Sequence, residues 1–125
     1  VLLSATYQAH APGVEPEGLA AAVALCCDAA RDHGPPGARC WLSVGPYGAA
    51  LADGSEYTGA YSLGTGAVEA LAAAYDRQVS ALLATPRSNE AEGVAFETIP
   101  CLPEAVAAAR VACVDQSLAC ACDVW

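Results

Sequence analysis

Short apolar runs alternate with long helix-periodic stretches along this chain, and that alternation constrains the fold more than any other feature. Val1-Leu2-Leu3, Cys40 to Val44 and Val94-Ala95-Phe96 read as buried strands. Three segments between and after them carry apolar residues on one face at the helical period. Glu17 to His33 presents Leu19, Val23, Cys26, Cys27 and Ala30; Pro16 suits its first turn, and Gly34 with Pro35-Pro36 ends it. Ala67 to Leu83 presents Val68, Leu71, Ala72, Tyr75, Val79 and Leu82. Pro103 to about Val114 presents Leu102, Val106, Ala109 and Cys113, with Pro103 and Glu104 in its first turn. Strand-helix alternation of this kind predicts an α/β fold with a parallel sheet and right-handed crossovers. By itself it does not separate a closed barrel from an open sheet.

The stretch from Ser43 to Tyr57 follows the central strand. Gly45-Pro46 stops the strand, and the chain then spends about a dozen residues rich in Gly, Asp, Ser, Glu and Tyr before the helical pattern resumes near Ala67. A long polar loop after a buried strand is where α/β proteins build binding sites, although an ordinary surface loop has the same composition. Gly45, Gly48 and Gly54 permit tight turns or close backbone approach, while Tyr47, Asp53, Glu56 and Tyr57 supply aromatic faces and negative charge. Thr85 to Glu92 reads as a second polar loop, and His10 as a solvated loop residue without a metal-ligand partner.

The chain has 125 residues, room for one small domain with a core. Its formal net charge of −9 argues against nucleic acid and anionic membrane surfaces as partners, and suits a cationic ligand. No apolar run approaches the roughly 20 residues of a membrane span. Seven cysteines are scattered, with Cys26-Cys27 adjacent and Cys120-x-Cys122 near the end, and none shows Cys-x-x-Cys spacing. They read mostly as small buried hydrophobes in a reducing cytosol, which predicts a cytoplasmic location. The lack of Met and the apolar opening at Val1 lead to the expectation that the chain is a fragment of a longer protein.

Three motifs carry a family resemblance. Gly45-Pro46-Tyr47-Gly48-Ala49 with Leu51, Asp53-Gly54-Ser55-Glu56-Tyr57 resembles a motif of the homocysteine S-methyltransferase family. Ser4-Ala5-Thr6-Tyr7-Gln8-Ala9 is similar to its Thr-x-Ser-Tyr-Gln-Ala segment, and Glu97-Thr98-Ile99-Pro100 to its Glu-Thr-(Ile/Leu)-Pro. The resemblance implies a partial (β/α)8 barrel: three consecutive units, the second to the fourth, since a whole barrel takes roughly 250 residues. It implies methyl transfer from a sulfonium donor, S-methylmethionine or S-adenosylmethionine, to homocysteine, giving methionine. It also implies a zinc ion that deprotonates the substrate thiol. All three motifs follow strands, which in a barrel gathers them on the C-terminal face. By this resemblance Glu97 holds the homocysteine amino group and Tyr7 lines the donor pocket. Tyr47, Asp53 and Glu56 complete the candidate substrate-binding set without separate roles. For Glu97 the alternative is a carboxylate capping nearby backbone amides; for Tyr7 it is a packed loop aromatic.

The sequence also departs from the family. The zinc cysteines of the family lie in Asn-Cys and Gly-Gly-Cys-Cys segments that this chain does not contain, so no catalytic zinc is expected on it. The first-strand Asp-Gly segment is missing, Thr85 to Glu92 is longer than the usual turn, and the similarity fades after about Ala112, where the tail suggests no strand. Two readings therefore stand: part of a zinc-dependent homocysteine methyltransferase, or a non-catalytic homocysteine-binding-like or metal-binding fragment. On either, the isolated chain is expected not to fold as a stable two-state domain, because parallel strands are normally covered on both faces.

Overall fold

A computed structural model describes residues 16–114 and 120–122. Helix α1 (Pro16–His33) leads to strand β1 (Trp41–Val44), followed by a short helix α2 (Tyr47–Leu51) and a 3-10 turn (Ser55–Tyr57). Helix α3 (Ala67–Leu83), a second 3-10 turn (Ser88–Glu90), strand β2 (Gly93–Phe96), helix α4 (Leu102–Val114) and strand β3 (Cys120–Cys122) complete the order. The strands form one parallel three-stranded sheet in the order β1-β2-β3. Trp41 pairs with Gly93 and Val44 with Phe96; Val94 pairs with Cys120 and Phe96 with Cys122. The expected strand Val1–Leu3 and the loop carrying Tyr7 and His10 lie outside the described residues.

Side chains alternate across a strand. Leu42, Val44, Val94 and Phe96 share one face and join a single core cluster with Leu19, Val23 and Cys26 of α1, Leu71, Tyr75, Val79 and Leu82 of α3, and Ala107 and Ala108 of α4. Ser43, Ala95 and Glu97 therefore line the opposite face. Both α1 and α3 bury the faces that their periodicity predicts. Tyr75 packs edge-on against Phe96, ring centroids 5.2 Å apart, fixing α3 over the end of β2.

Three expectations are corrected. The stretch after β1 is not an open loop: Pro46 in extended conformation starts α2, and Ala52, left-handed at φ 53°, ends it. Five residues are too few for a helical period to show in sequence. Helix α4 is rotated from the expected face, with Leu102 76% exposed, Val106, Ala109 and Cys113 also outward, and Glu104, Ala107 and Ala108 inward. Small Ala side chains let α4 approach α3 closely, and Glu104 finds partners inside. The tail, expected to hold no strand, supplies β3, whose backbone pairs with β2 through the register from Cys120 to Cys122.

Candidate functional site

The C-terminal end of the sheet is where the described motifs meet. Glu97 follows β2, and its amide donates to the Val44 carbonyl at 3.1 Å, extending the parallel pairing by one residue. Its side chain lies on the face opposite the helices, where Ser43 Oγ donates to Glu97 Oε2 at 2.5 Å. Ser43, itself buried, thus fixes one carboxylate oxygen from the neighbouring strand. Immediately after Glu97, Thr98 takes a left-handed φ of 56°, a conformation uncommon outside glycine, and the chain turns sharply away.

Glycine allows the loops to close on each other. A Cβ on Gly48 would stand 2.3 Å from the amide nitrogen of Glu56, so α2 and the following 3-10 turn touch backbone to backbone. Gly59, at φ 67°, presses against Cys101; a Cβ there would be 2.5 Å from the Cys101 Cβ. The loop after β1 is therefore seated on the loop after β2. Tyr47 and Tyr61 stack edge-on with centroids 5.3 Å apart.

Beneath this seat lies Glu104, a residue that sequence reasoning placed only as a favourable first-turn acid. It is 0% exposed. Its Oε1 accepts from the Tyr47 amide at 2.5 Å and from the Tyr75 hydroxyl at 2.9 Å, and its Oε2 from the Tyr61 hydroxyl at 2.6 Å. A buried carboxylate is tolerated when donors satisfy it, and its place in the first turn of α4 adds the helix dipole. Burial, then the hydrogen bond to Glu104, pushes the Tyr61 hydroxyl above its ordinary value; burial, then the Glu104 charge, does the same to Tyr75. The signal available in sequence was the i, i+3, i+4 stripe of Glu104, Ala107 and Ala108.

The other candidate residues divide. Tyr47 is drawn in through its amide and its ring. Asp53, exposed, accepts from the Ser55 amide at 2.9 Å and so builds the turn. Glu56 is half-buried, and its Oε2 is buried with no hydrogen-bond partner among the described residues. Tyr7 lies outside the described residues. Glu97, Tyr47 and Glu56 thus belong to the converging loops, whereas Asp53 serves the local backbone.

Zinc finds no fit in this part of the molecule: among the described residues no group of three or more His, Cys, Asp and Glu side chains is arranged to hold a metal. Cys26, Cys27 and Cys40 do gather, but on the helix-facing side of the sheet, away from Glu97. A cavity of about 420 Å³ lies at the other end of the strands, bordered by Ser88, Asn89, Glu92 and Gly93, and has no part in the converging loops.

The sequence model of the homocysteine S-methyltransferase family matches residues 1–125. The chain belongs to that family. Its match runs through the tail that carries β3. The chain is 44% identical over 69 residues to the homocysteine S-methyltransferase YbgG of Bacillus subtilis strain 168, covering 55% of this chain and 20% of that protein. It is 46% identical over 65 residues to a betaine-homocysteine S-methyltransferase of Drosophila melanogaster, covering 52% of this chain and 18% of that one. Its fold is similar to the crystal structure of the Escherichia coli homocysteine methyltransferase MmuM in an oxidized form, with a TM-score of 0.66 and 32% identity over 91% of this chain and 39% of that chain. The chain thus spans about a fifth of the length of these curated relatives. No helix among the described residues is long and apolar enough to cross a membrane.

Proposed function

We propose that the protein to which this chain contributes transfers a methyl group from a cationic donor to the sulfur of homocysteine, and that these residues form part of a (β/α)8 barrel whose mouth is the end carrying Glu97. The observation that carries the reading is the Ser43–Glu97 pair: a carboxylate at a strand end, on the face away from the helices, with one oxygen fixed by a buried hydroxyl. In a closed barrel that face is the interior. Glu97 binds the substrate ammonium through its carboxylate, and the left-handed turn at Thr98 keeps the following chain out of the way. Tyr47 and Glu56 face the donor, whose positive charge suits an aromatic ring and a buried carboxylate oxygen lacking a partner. The donor is a sulfonium compound such as S-methylmethionine or S-adenosylmethionine; similarity to a betaine enzyme keeps a quaternary ammonium within the same onium class. Zinc, when bound by cysteines elsewhere in such a protein, supplies a thiolate at neutral pH. The protein acts in the cytoplasm, consistent with its unpaired thiols such as Cys27, Cys101 and Cys113.

The test is calorimetric titration of homocysteine into the full protein that the gene encodes. A carboxylate–ammonium bond is worth about 1.5–3 kcal/mol, so Glu97→Gln lowers homocysteine affinity roughly ten- to a hundredfold and leaves zinc content unchanged. Equal affinities would remove Glu97 from the site; binding without methyl transfer from any onium donor would favour the non-catalytic reading.

A further inference from the structure

The reaction proposed above makes no use of the thiols between α1 and the sheet. Cys26 Sγ and Cys40 Sγ are 2.9 Å apart, in contact across the α1–β1 connection though fourteen positions apart in sequence. Both residues are buried, and Cys27 is close enough to Cys40 to share its hydrogen bonding. The connection itself is tight: a Cβ on Gly34 would stand 2.4 Å from both the Ala30 carbonyl oxygen and the Ala38 Cβ, so the chain is pinned as it turns from helix to strand. A cavity of about 240 Å³ reaches Cys26, lined also by His33, Gly34, Ala38 and Arg39.

We propose that Cys26 and Cys40 form an oxidisable dithiol, which a small hydroperoxide converts to an intrachain disulfide joining α1 to the head of β1. The proposal is independent of the methyltransferase reading. The cavity has room for hydrogen peroxide or a small organic hydroperoxide, since a water molecule takes up only ≈ 30 Å³. Cys26, which borders the cavity, is the thiol that attacks the peroxide. Its sulfur displaces on the terminal peroxide oxygen; the S–O bond forms and the O–O bond breaks. The departing oxygen leaves as water or alcohol, carrying the proton the thiol gave up, in a cavity that His33 and Arg39 also line. Cys40 then attacks the Cys26 sulfenic sulfur. The S–S bond forms, the S–O bond breaks, and the hydroxyl leaves as water with the Cys40 proton. Two thiols lose two electrons in all, and the peroxide gains them. Burial, and then the neighbouring Cys26 and Cys27, push the Cys40 thiol well above its ordinary value, which argues against Cys40 as the first thiol to attack the peroxide. A disulfide of this kind in a reducing compartment is transient, and thiol–disulfide exchange with glutathione reverses it.

The experiment treats the full protein with hydrogen peroxide, quenches, and maps peptides without reduction. The expected product has lost two hydrogens, links the Cys26 and Cys40 peptides, and returns to the dithiol with reduced glutathione. Cys40→Ser abolishes the link and leaves a sulfenic acid on Cys26 that a cyclic 1,3-dione traps; Cys27→Ser keeps the link. Oxidation of Cys26 to sulfinic acid without a link, or a link from Cys40 to Cys27 instead, would each overturn the proposal. The wild-type peptide map needs no variant, so the answer stands even where a serine variant fails to fold.

Discussion

The two ends of the parallel sheet are held together by opposite kinds of polar interaction. At the C-terminal end, Glu104 is sealed from water and takes hydrogen bonds from Tyr47, Tyr61 and Tyr75. At the N-terminal end, Arg87 of the second polar loop bridges Asp28 of α1 at 2.9 Å and Glu90 at 2.5 Å, and Arg39 pairs with Glu92 across the start of β1 and β2. Those ion pairs are partly open to water. Removing a partner from a buried network leaves the other groups desolvated and unpaired, whereas a solvated ion pair is replaced by water at little cost. The difference predicts which end is sensitive to substitution, and it coincides with which end carries the candidate site.

The largest effect is expected for Glu104→Leu, which orphans the Tyr47 amide and the buried Tyr75 hydroxyl and takes the acceptor from the Tyr61 hydroxyl. It should cost about 3–5 kcal/mol, read as a fall in the melting temperature of the full protein, and loosen the Tyr47 loop enough to weaken homocysteine binding. An unchanged melting temperature would remove the buried carboxylate from the account of this end. Next comes Gly48→Ala, whose methyl meets the Glu56 backbone rather than a flexible side chain; about 1–3 kcal/mol is expected, as for overpacking elsewhere. Tyr75→Phe removes one of the donors to Glu104 and keeps the ring against Phe96, so a loss of about 1.5 kcal/mol is expected, as for a hydrogen bond to a charged group. Arg87→Ala should be smallest, near the error of a melting experiment and smaller still at high salt.

The ends should also separate by pH. The hydrogen bond from the Arg87 guanidinium is the leading cause that holds the Asp28 and Glu90 carboxyls below their ordinary values. Their contribution is therefore present above the unfolded carboxylate pKa and lost as the pH falls through the lower folded values. The Tyr61 and Tyr75 hydroxyls are held above the ordinary value of 10.0. Their contribution is complete below that value and lost as the pH rises towards the folded ones. Melting curves of wild type and Arg87→Ala should then converge in acid, whereas Tyr75→Phe should be less sensitive than wild type to alkali. The reverse pattern would assign the polar groups to the wrong ends.

Legibility in the sequence followed the range of the forces involved. Helices α1 and α3 were readable because each buries a wide apolar stripe, and their ends carry Pro, Gly or a polar loop. Strands β1 and β2 were readable as apolar runs bounded by turns. The place of Glu97 at the end of β2 was readable through its motif, although Ser43, its partner on the adjacent strand 54 positions earlier, was not. Strand β3 escaped because Cys120-Ala121-Cys122 has no β-branched or aromatic residue; the pairing edge of β2 recruits it. The face of α4 was misread because Leu102, Val106, Ala109 and Cys113 are apolar, and apolar periodicity was the only guide.

What the sequence alone determined is the alternating parallel architecture, the family, and the place of the Gly-Pro-Tyr-Gly and Glu-Thr-Ile-Pro motifs after strands. Those depend on local propensity and on patterns within one segment. Tertiary structure decided which acid is sealed inside and which stays at the end of the sheet, on the face away from the helices. Glu97 and Glu104 are identical side chains on one short segment, and nothing local tells them apart. Glu104 becomes a buried anchor only because Tyr47, Tyr61 and Tyr75, lying 57, 43 and 29 positions away, bring their donors to it. A buried charge is stable only with donors in place, and those donors come together only when the chain is folded.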